Sequence, residues 1–298
     1  MDRFSAMQIF VKVAEVESFA EAGRILNMNP TGVTRAVAFL EDTVSARLFT
    51  RTTRVVKLTE VGSRYLDDCR RILAEVAEAD AAATGSYTRP SGTLTVTASV
   101  LFGQIYIQPI LTEFLNANPA VVGRAMFLDR VTNIVDEGID VAIRIGHLSD
   151  SSLSASRVGT VRRIVCGSPG YFETHGVPAV PADLQQHRLI AATSAWASLE
   201  WKFGVDEKST VQIQPALSCS TYQTAIDAAR QGWGLTRVLS YQVGDAMISG
   251  ELQTVLADYE EEPLPVHVVH PEGRRASAKV RAFVDLAVER LRANRVIN

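Results

Sequence analysis

Residues 18–41 read SFAEAGRILNMNPTGVTRAVAFLE, and this stretch decides the amino-terminal architecture. Ser18 followed by Glu21 matches a capping box, in which the hydroxyl accepts from the Glu21 backbone N–H while the Glu21 carboxylate reaches back. The helix so started is short and ends near Leu26. Asn27-Met28-Asn29-Pro30 makes a turn: Asn29 is a favoured N-cap, and Pro30 suits the first helical position, where a missing N–H costs nothing. A third helix follows to about Glu41. At about 100° per residue, Val33, Val37 and Leu40 cluster on one side, and Thr31, Thr34, Arg35 and Ala38 fall on the other. The first face is core. The second is small and polar, so that Pro30, Thr31, Thr34 and Ala38 let the helix approach base edges in a major groove while Arg35 forks onto guanine or phosphate. Taken alone, such a face is more often that of a solvated helix.

The flanks favour the first reading. Upstream, Phe10, Val11, Val13 and Ala14 form the apolar stripe of a first helix. Downstream, the β-branched residues and alternating charges of residues 47–59 predict a two-stranded wing whose tip carries Arg51, Arg54 and Lys57, placed for phosphates or a minor groove. The net charge of −3 speaks against nucleic acid only as a sum, because residues 24–64 hold seven basic side chains against three acidic ones. Thr59 caps a fourth helix with Glu60 in its first turn. Tyr65, Cys69, Ile72, Val76, Ala79 and Ala83 recur at alternating steps of four and three, the seam of a coiled coil. A rod of roughly 24 residues is about 36 Å long, which favours pairing with a second rod over docking on its own small domain.

Beyond a polar, turn-rich hinge near residue 90 the pattern changes. Leu94, Val96 and Ala98 alternate as a strand, Ile107, Ile110, Leu111, Phe114 and Leu115 form a helical stripe, and Val141, Ile143 and Ile145 alternate again. Strands interleaved with helices predict an α/β fold with mainly parallel sheets. Ligands of such sheets gather at the carboxyl ends of strands and at the helix starts that follow. Three stretches fit that position: Ser99 to Gly103, Arg144 to Gly146, and Ser220-Thr221. Local capping is the competing use of the hydroxyls. Val280, Phe283, Val284, Ala287, Val288 and Leu291 make a final amphipathic helix, and Gly232 in Gly232-Trp233-Gly234 reads as a helix end rather than a nucleotide loop.

The run Phe10-Val11 through Ser18-Phe19-Ala20-Glu21-Ala22, then Asn29-Pro30-Thr31-Gly32-Val33-Thr34-Arg35 and Leu40-Glu41, resembles the helix-turn-helix of the LysR-type transcriptional regulators. Arg47-Leu48-Phe49, Arg51-Thr52-Thr53-Arg54 and Leu58-Thr59-Glu60-Val61-Gly62 resemble that family's wing and linker start. Gly32 stands where alanine is common, a change that loosens a helix by roughly 0.5 to 1 kcal/mol.

The resemblance implies an α/β fold class with an all-α-rich winged helix-turn-helix at residues 1–59, a linker and dimerisation helix with hinge at 60–90, and an effector domain at 91–298. That domain is expected to consist of two Rossmann-like lobes, similar to a type 2 periplasmic binding protein. Lobe one would span about 91–162 and 267–298, and lobe two about 163–266, with crossings near Arg163 to Gly167 and Val266 to His270. The resemblance further implies that Ser99, Ile145-Gly146, Thr193-Ser194 and Thr221 face an inducer cleft, beside Arg144 and Ser220, with Leu101, Phe102 and Trp196 as apolar wall. Arg144 and the clustered hydroxyls hint at a carboxylate or aromatic metabolite, although Arg144 is equally placed for a structural ion pair. The expected partners are double-stranded promoter DNA, that inducer, a homodimer or homotetramer paired through Tyr65, Ile72, Val76, Ala79 and Ala83, and RNA polymerase.

Other classes find less support. No GxSxG elbow, HExxH pair or GxxxxGK[ST] loop is present, and His267 and His270 read as surface or core residues, so neither catalysis nor a metal or cofactor is expected. The three cysteines, Cys69, Cys166 and Cys219, are far apart with no CxxC pair. A thiol-based regulator is the sharper rival, because Cys219 is placed near a helix start where the dipole favours thiolate. A free solute-binding protein is the third option, and the lack of a secretory pattern or of a run of about 18 apolar residues favours the cytoplasm over export or the membrane.

Overall fold

A computed structural model describes residues 2–51, 56–83, 89–148, 153–192, 199–205, 209–271 and 276–297. The chain divides into two units, Met1–Thr88 and Arg89–Asn298.

In the first unit, α1 (Arg3–Val16) starts where Asp2 accepts from the Ser5 N–H at 2.8 Å. α2 (Phe19–Ile25) is capped by Ser18, whose Oγ accepts from the Glu21 N–H at 3.2 Å. The second half of the expected box is absent, because the Glu21 carboxylate turns to Arg24 at 2.5 Å, a charge-assisted contact stronger than one with a neutral N–H. α3 (Pro30–Val44) begins where Asn29 Oδ1 accepts from the Gly32 N–H at 2.6 Å, and it runs past Glu41 to a left-handed Ser45. The close approach of α2 to the preceding turn requires Gly23, since a Cβ there would lie 2.8 Å from the Met28 carbonyl oxygen.

Phe10 is fully buried, 5.3 Å from the Phe49 ring and 5.7 Å from that of Tyr65, and Val33, Ala36, Val37 and Leu40 close the core around it. The wing is an antiparallel pair, β1 (Phe49–Arg51) with β2 (Val56–Leu58), in register Phe49 to Leu58. A carboxylate fixes its base: Glu41 is buried, and its Oε1 accepts from the Leu48 and Phe49 N–H groups at 2.9 and 3.3 Å while Oε2 meets Arg47 at 3.1 Å. α4 (Glu60–Ala83) is 24 residues long, and Thr59 Oγ1 accepts from the Gly62 N–H at 2.9 Å. Its first half belongs to this core. Leu66 and Cys69 are buried, and Tyr65, Ile72 and Leu73 are half-buried against it.

The second unit holds two five-stranded sheets. Its elements in order are β3 (Gly92–Ala98), α5 (Val100–Phe102) running through a π turn at Gly103–Ile107 into α6 (Gln108–Ala117), then β4 (Val121–Phe127), β5 (Val141–Ile145) and β6 (Ser154–Val161). β7 (Arg163–Gly167), α7 (Pro169–His175), β8 (Leu189–Ala192), the hairpin β9 (Glu200–Phe203) and β10 (Ser209–Gln212), and β11 (Leu217–Cys219) follow. The chain ends with α8 (Tyr222–Arg230), β12 (Leu235–Leu239), α9 (Gly244–Ile248), β13 (Gln253–Val255), β14 (Leu264–His270) and α10 (Ala278–Arg292).

The sheet of lobe one has the order β4-β3-β5-β14-β6, and that of lobe two β11-β8-β12-β7-β13. Each is mixed: four strands share one direction, and a single strand, β14 in lobe one and β7 in lobe two, runs against them, this being the strand that receives the chain from the other lobe. The outgoing crossing is at Arg162, between β6 and β7. The return is earlier than expected: residues 264–270 already pair with β6, and 266–269 with β5, inside lobe one, so the chain crosses back over residues 260–263. The apolar run Val266–Val269 marked the buried strand, and the crossing before it is acidic.

Replacing Glu41 with alanine strands two buried N–H groups. We expect a loss of about 2 to 4 kcal/mol in the first unit. Hydrogen exchange of the full-length chain should accelerate at Leu48 and Phe49 and stay unchanged across β3 and β14.

Candidate nucleic-acid interface and effector cleft

The caps at Asn29 and Pro30 set the rotation of α3. Val33 and Val37 lie at zero exposure, while Pro30, Thr31 and Arg35 are exposed and Thr34 and Ala38 half-buried on the opposite side. Phe39, 40% exposed, adds an apolar ring beside this face that the polar pattern did not suggest. The basic residues divide into two sets. Arg24 pairs with Glu21, Arg47 with Glu41 and Arg64 with Glu60. Arg35 and Lys57 are exposed, and neither has an ion-pair partner among the described residues. Lys57 stands in β2 opposite Thr50. The backbone of Arg51 is in β1, while its side chain and the whole of Arg54 lie outside the described residues.

The expected dimer seam is split. Tyr65 and Ile72 face the core of their own unit, Val76 is 36% exposed, and the side chains of Ala79 and Ala83 lie outside the described residues.

In the second unit the carboxyl ends of the parallel strands gather at Ala98, Phe127 and Ile145 in lobe one, and at Cys219, Ala192 and Leu239 in lobe two. Both crossings join these same edges, so they flank the space between the two sets of strand ends. Ser99 heads α5 without capping it. Its Oγ instead lies 3.2 Å from Tyr241 Oη, which comes from lobe two. Asp129 takes the vacant capping role, accepting from the Val100 N–H at 3.0 Å. Thr221 does the opposite: it caps α8 locally, accepting from the Thr224 N–H at 3.2 Å, and Ser220 beside it is exposed.

The remaining expected site residues are placed differently from one another. Leu101 and Phe102 are core rather than wall, with Phe102 fully buried 5.1 Å from the Tyr241 ring. Ile145 is half-buried on that core, and the Gly146 N–H is committed to the Pro265 carbonyl at 2.8 Å with φ at 118°. Arg144 is turned away: its Nη2 donates to the Thr132 carbonyl and, at 3.1 Å, to Thr132 Oγ1. Thr193, Ser194 and Trp196 lie outside the described residues.

Sequence reasoning missed Tyr222 and Tyr241. Both are pushed above the ordinary tyrosine range by burial, and both feel the charge of Asp129 across the cleft. Tyr241 follows the carboxyl end of β12, so the rule that selected Ser99 would have found it. Gly232 does end α8, at φ 77°.

The thiols are quiet. Burial pushes Cys69 up to about 11, Cys166 up to about 12, and Cys219 upward as well. Cys166 in β7 and Cys219 in β11 are separated by β12 and β8, about 14 Å at ordinary strand spacing, well beyond disulfide reach. Among the described residues no group of three His, Cys, Asp or Glu is placed to hold a metal, and no helix is long and apolar enough to cross a membrane.

A helix-turn-helix with an exposed cationic face, followed by a two-lobed binding unit, defines a ligand-modulated DNA-binding regulator. Comparison with known proteins narrows the class. A family model for the lysR family of bacterial regulatory helix-turn-helix proteins matches residues 4–63, and one for the LysR substrate binding domain matches residues 88–292. An uncharacterized HTH-type transcriptional regulator of Haemophilus influenzae is 32% identical over 94% of this chain and 98% of its own. An HTH-type transcriptional repressor of Pseudomonas aeruginosa is 32% identical over 97% of this chain and 92% of its own. The solved structure of CrgA, a LysR-type transcriptional regulator from Neisseria meningitidis, superposes with a TM-score of 0.63 at 27% identity, covering 97% of this chain and 99% of the other. The chain belongs to the LysR family of transcriptional regulators, not to a family of enzymes.

With all three thiols protonated and buried, Ellman's reagent at pH 7.5 should label less than one thiol per native chain within minutes, and all three after denaturation. Rapid native labelling of Cys219 would reinstate the thiol switch.

Proposed function

We propose that α3 enters the major groove of promoter DNA, with Arg35 reading a base edge and Lys57 on the wing holding a phosphate. The observation that carries this division is the pairing pattern of the cations. Arg24, Arg47 and Arg64 are held by carboxylates of their own unit, whereas Arg35 and Lys57 keep exposed, unpaired charges among the described residues. A free guanidinium beside the short side chains of Thr31, Thr34 and Ala38 suits bidentate contact with guanine. Phosphate contacts from the wing, to which Arg51 and Arg54 would add, position the protein without reading sequence. Pro30 sets the approach of the helix start.

Two such heads would be presented by a homodimer or homotetramer joined through the distal half of α4, from Val76 through Ala79 and Ala83. The cleft of the second unit would take the inducer, between Ser99 of lobe one and Thr221, Tyr222 and Tyr241 of lobe two. Closure about Arg162 and residues 260–263 would then alter the spacing of the heads. The protein would act in the cytoplasm, with RNA polymerase as the downstream partner.

Binding to an operator duplex selected from a random library tests the head. Arg35→Ala should cost about 1 to 3 kcal/mol on the selected duplex and little on a scrambled one, relaxing preference at one base pair. Lys57→Ala should weaken both equally and reduce the slope of log K against log salt by about one unit. Identical behaviour of the two variants overturns the division of labour. Sedimentation tests the stalk: Val76→Asp should lower the oligomeric state without unfolding the head, and an unchanged oligomer refutes the distal seam.

A further inference from the structure

Arg144 was the cation expected to greet an anionic ligand, and it is committed to Thr132. A different arginine stands at the cleft. Arg237 lies in β12 between Leu235 and Leu239, which alternation places on the same face of the sheet. Its side chain is 11% exposed. Nη2 donates to the Lys202 carbonyl at 2.5 Å and to Glu261 at 2.7 Å, the guanidinium lies 5.1 Å from the Phe203 ring centroid, and the buried Nε has no hydrogen-bond partner among the described residues. The same Glu261 oxygen also receives Arg163 at 3.2 Å. One carboxylate oxygen therefore serves two guanidiniums.

A cavity of about 480 Å³ opens beside this cluster, lined by Trp201, Tyr222 and Leu239 together with both arginines and Glu261. Its lining carries three cations, Arg163, Lys202 and Arg237, and two carboxylates, Glu200 and Glu261. The excess is a single positive charge. Burying a guanidinium with an orphaned N–H is costly, and a leucine in its place would continue the apolar face of Leu235 without that cost. A singly charged anion in the cavity would offset that excess.

We propose that this pocket binds a small organic monocarboxylate, with its carboxylate on Arg237 and Arg163 and its apolar body against Trp201 and Tyr222. The inference rests on the reading of the second unit as an effector domain and names the ligand class and the coupling. Arg163 follows the outgoing crossing and Glu261 lies in the returning one, so an incoming carboxylate competes with Glu261 for both guanidiniums and loosens the tie between the two crossings. Arg162 and Glu260, paired at 2.8 Å, form the parallel tie that holds while the first is exchanged.

Calorimetric titration of the full-length protein with matched acids and amides, benzoate and benzamide, cinnamate and cinnamamide, hexanoate and hexanamide, tests the proposal. At least one acid should bind about tenfold or more tightly than its amide. Arg237→Gln and the exposed Arg163→Gln should each weaken that acid about tenfold, and Glu261→Gln, which removes the competitor, should tighten it. The distant Arg290→Gln should bind as wild type. Acids no better than amides, or acid binding unchanged in Arg163→Gln and Arg237→Gln, would overturn the proposal. Operator binding measured on the same variants separates the outcomes: a protein that ignores every acid but still binds DNA through Arg35 loses this ligand class and keeps its role as a regulator.

Discussion

The first turn of α3 governs the reading head. Asn29 Oδ1 holds the Gly32 N–H, and Pro30 supplies a preset φ, so the helix can start at only one residue. Rotation follows from the start: once Pro30 is the first helical residue, Val33, Val37 and Leu40 must point at Phe10, and Arg35 must point away. Slipping the start by one residue would turn the helix by about 100° and bring Arg35 toward the core. The far end of the helix is fixed from a different direction, by Glu41 gripping the N–H groups of Leu48 and Phe49. Short polar contacts thus fix α3 at both ends of one apolar stripe, and the one at Glu41 also couples it to the wing.

The second unit uses polar contacts differently. Its sheets are held by apolar alternation, and ion pairs tie the crossings together, where Arg162 meets Glu260 and Arg163 and Arg237 share Glu261. Ion pairs suit a hinge better than apolar packing does. They can exchange partners without leaving a void, whereas moving a buried leucine opens a cavity. The Ser99 to Tyr241 contact extends the same logic across the cleft, since a hydroxyl pair at 3.2 Å can be replaced by two contacts to a ligand with little net change.

Local chemistry was legible in the sequence wherever one residue acts on its neighbours. The caps at Ser18, Asn29 and Thr59, the burial of Val33, Val37 and Leu40, and the helix end at Gly232 all follow from spacing. Sequence failed where two uses compete for one side chain and the winner is decided by elements far away in the chain. Tyr65 and Ile72 fit a coiled-coil seam by period, but α1 reaches them first. Leu101 and Phe102 follow a strand end as cleft residues should, yet Tyr241, over a hundred residues on, covers Phe102. Arg144 stands at a strand end where a ligand-facing cation was expected, and the Thr132 carbonyl claims it.

Arg237 shows why such a residue escapes a reading by pattern. In sequence it is a lone charge between Leu235 and Leu239 on one face of an apolar strand, and nothing within the strand names a partner for it. The hairpin of β9 and β10 covers that face, so the charge is enclosed after the fact by a segment some thirty residues upstream. Its partner Glu261 arrives from the returning crossing, and Arg163 from the outgoing one. Three segments distant in the chain therefore meet at one carboxylate oxygen, and only at the carboxyl edge of the lobe-two sheet, where the crossings are forced to converge. The topology that creates the cleft is the same topology that charges it.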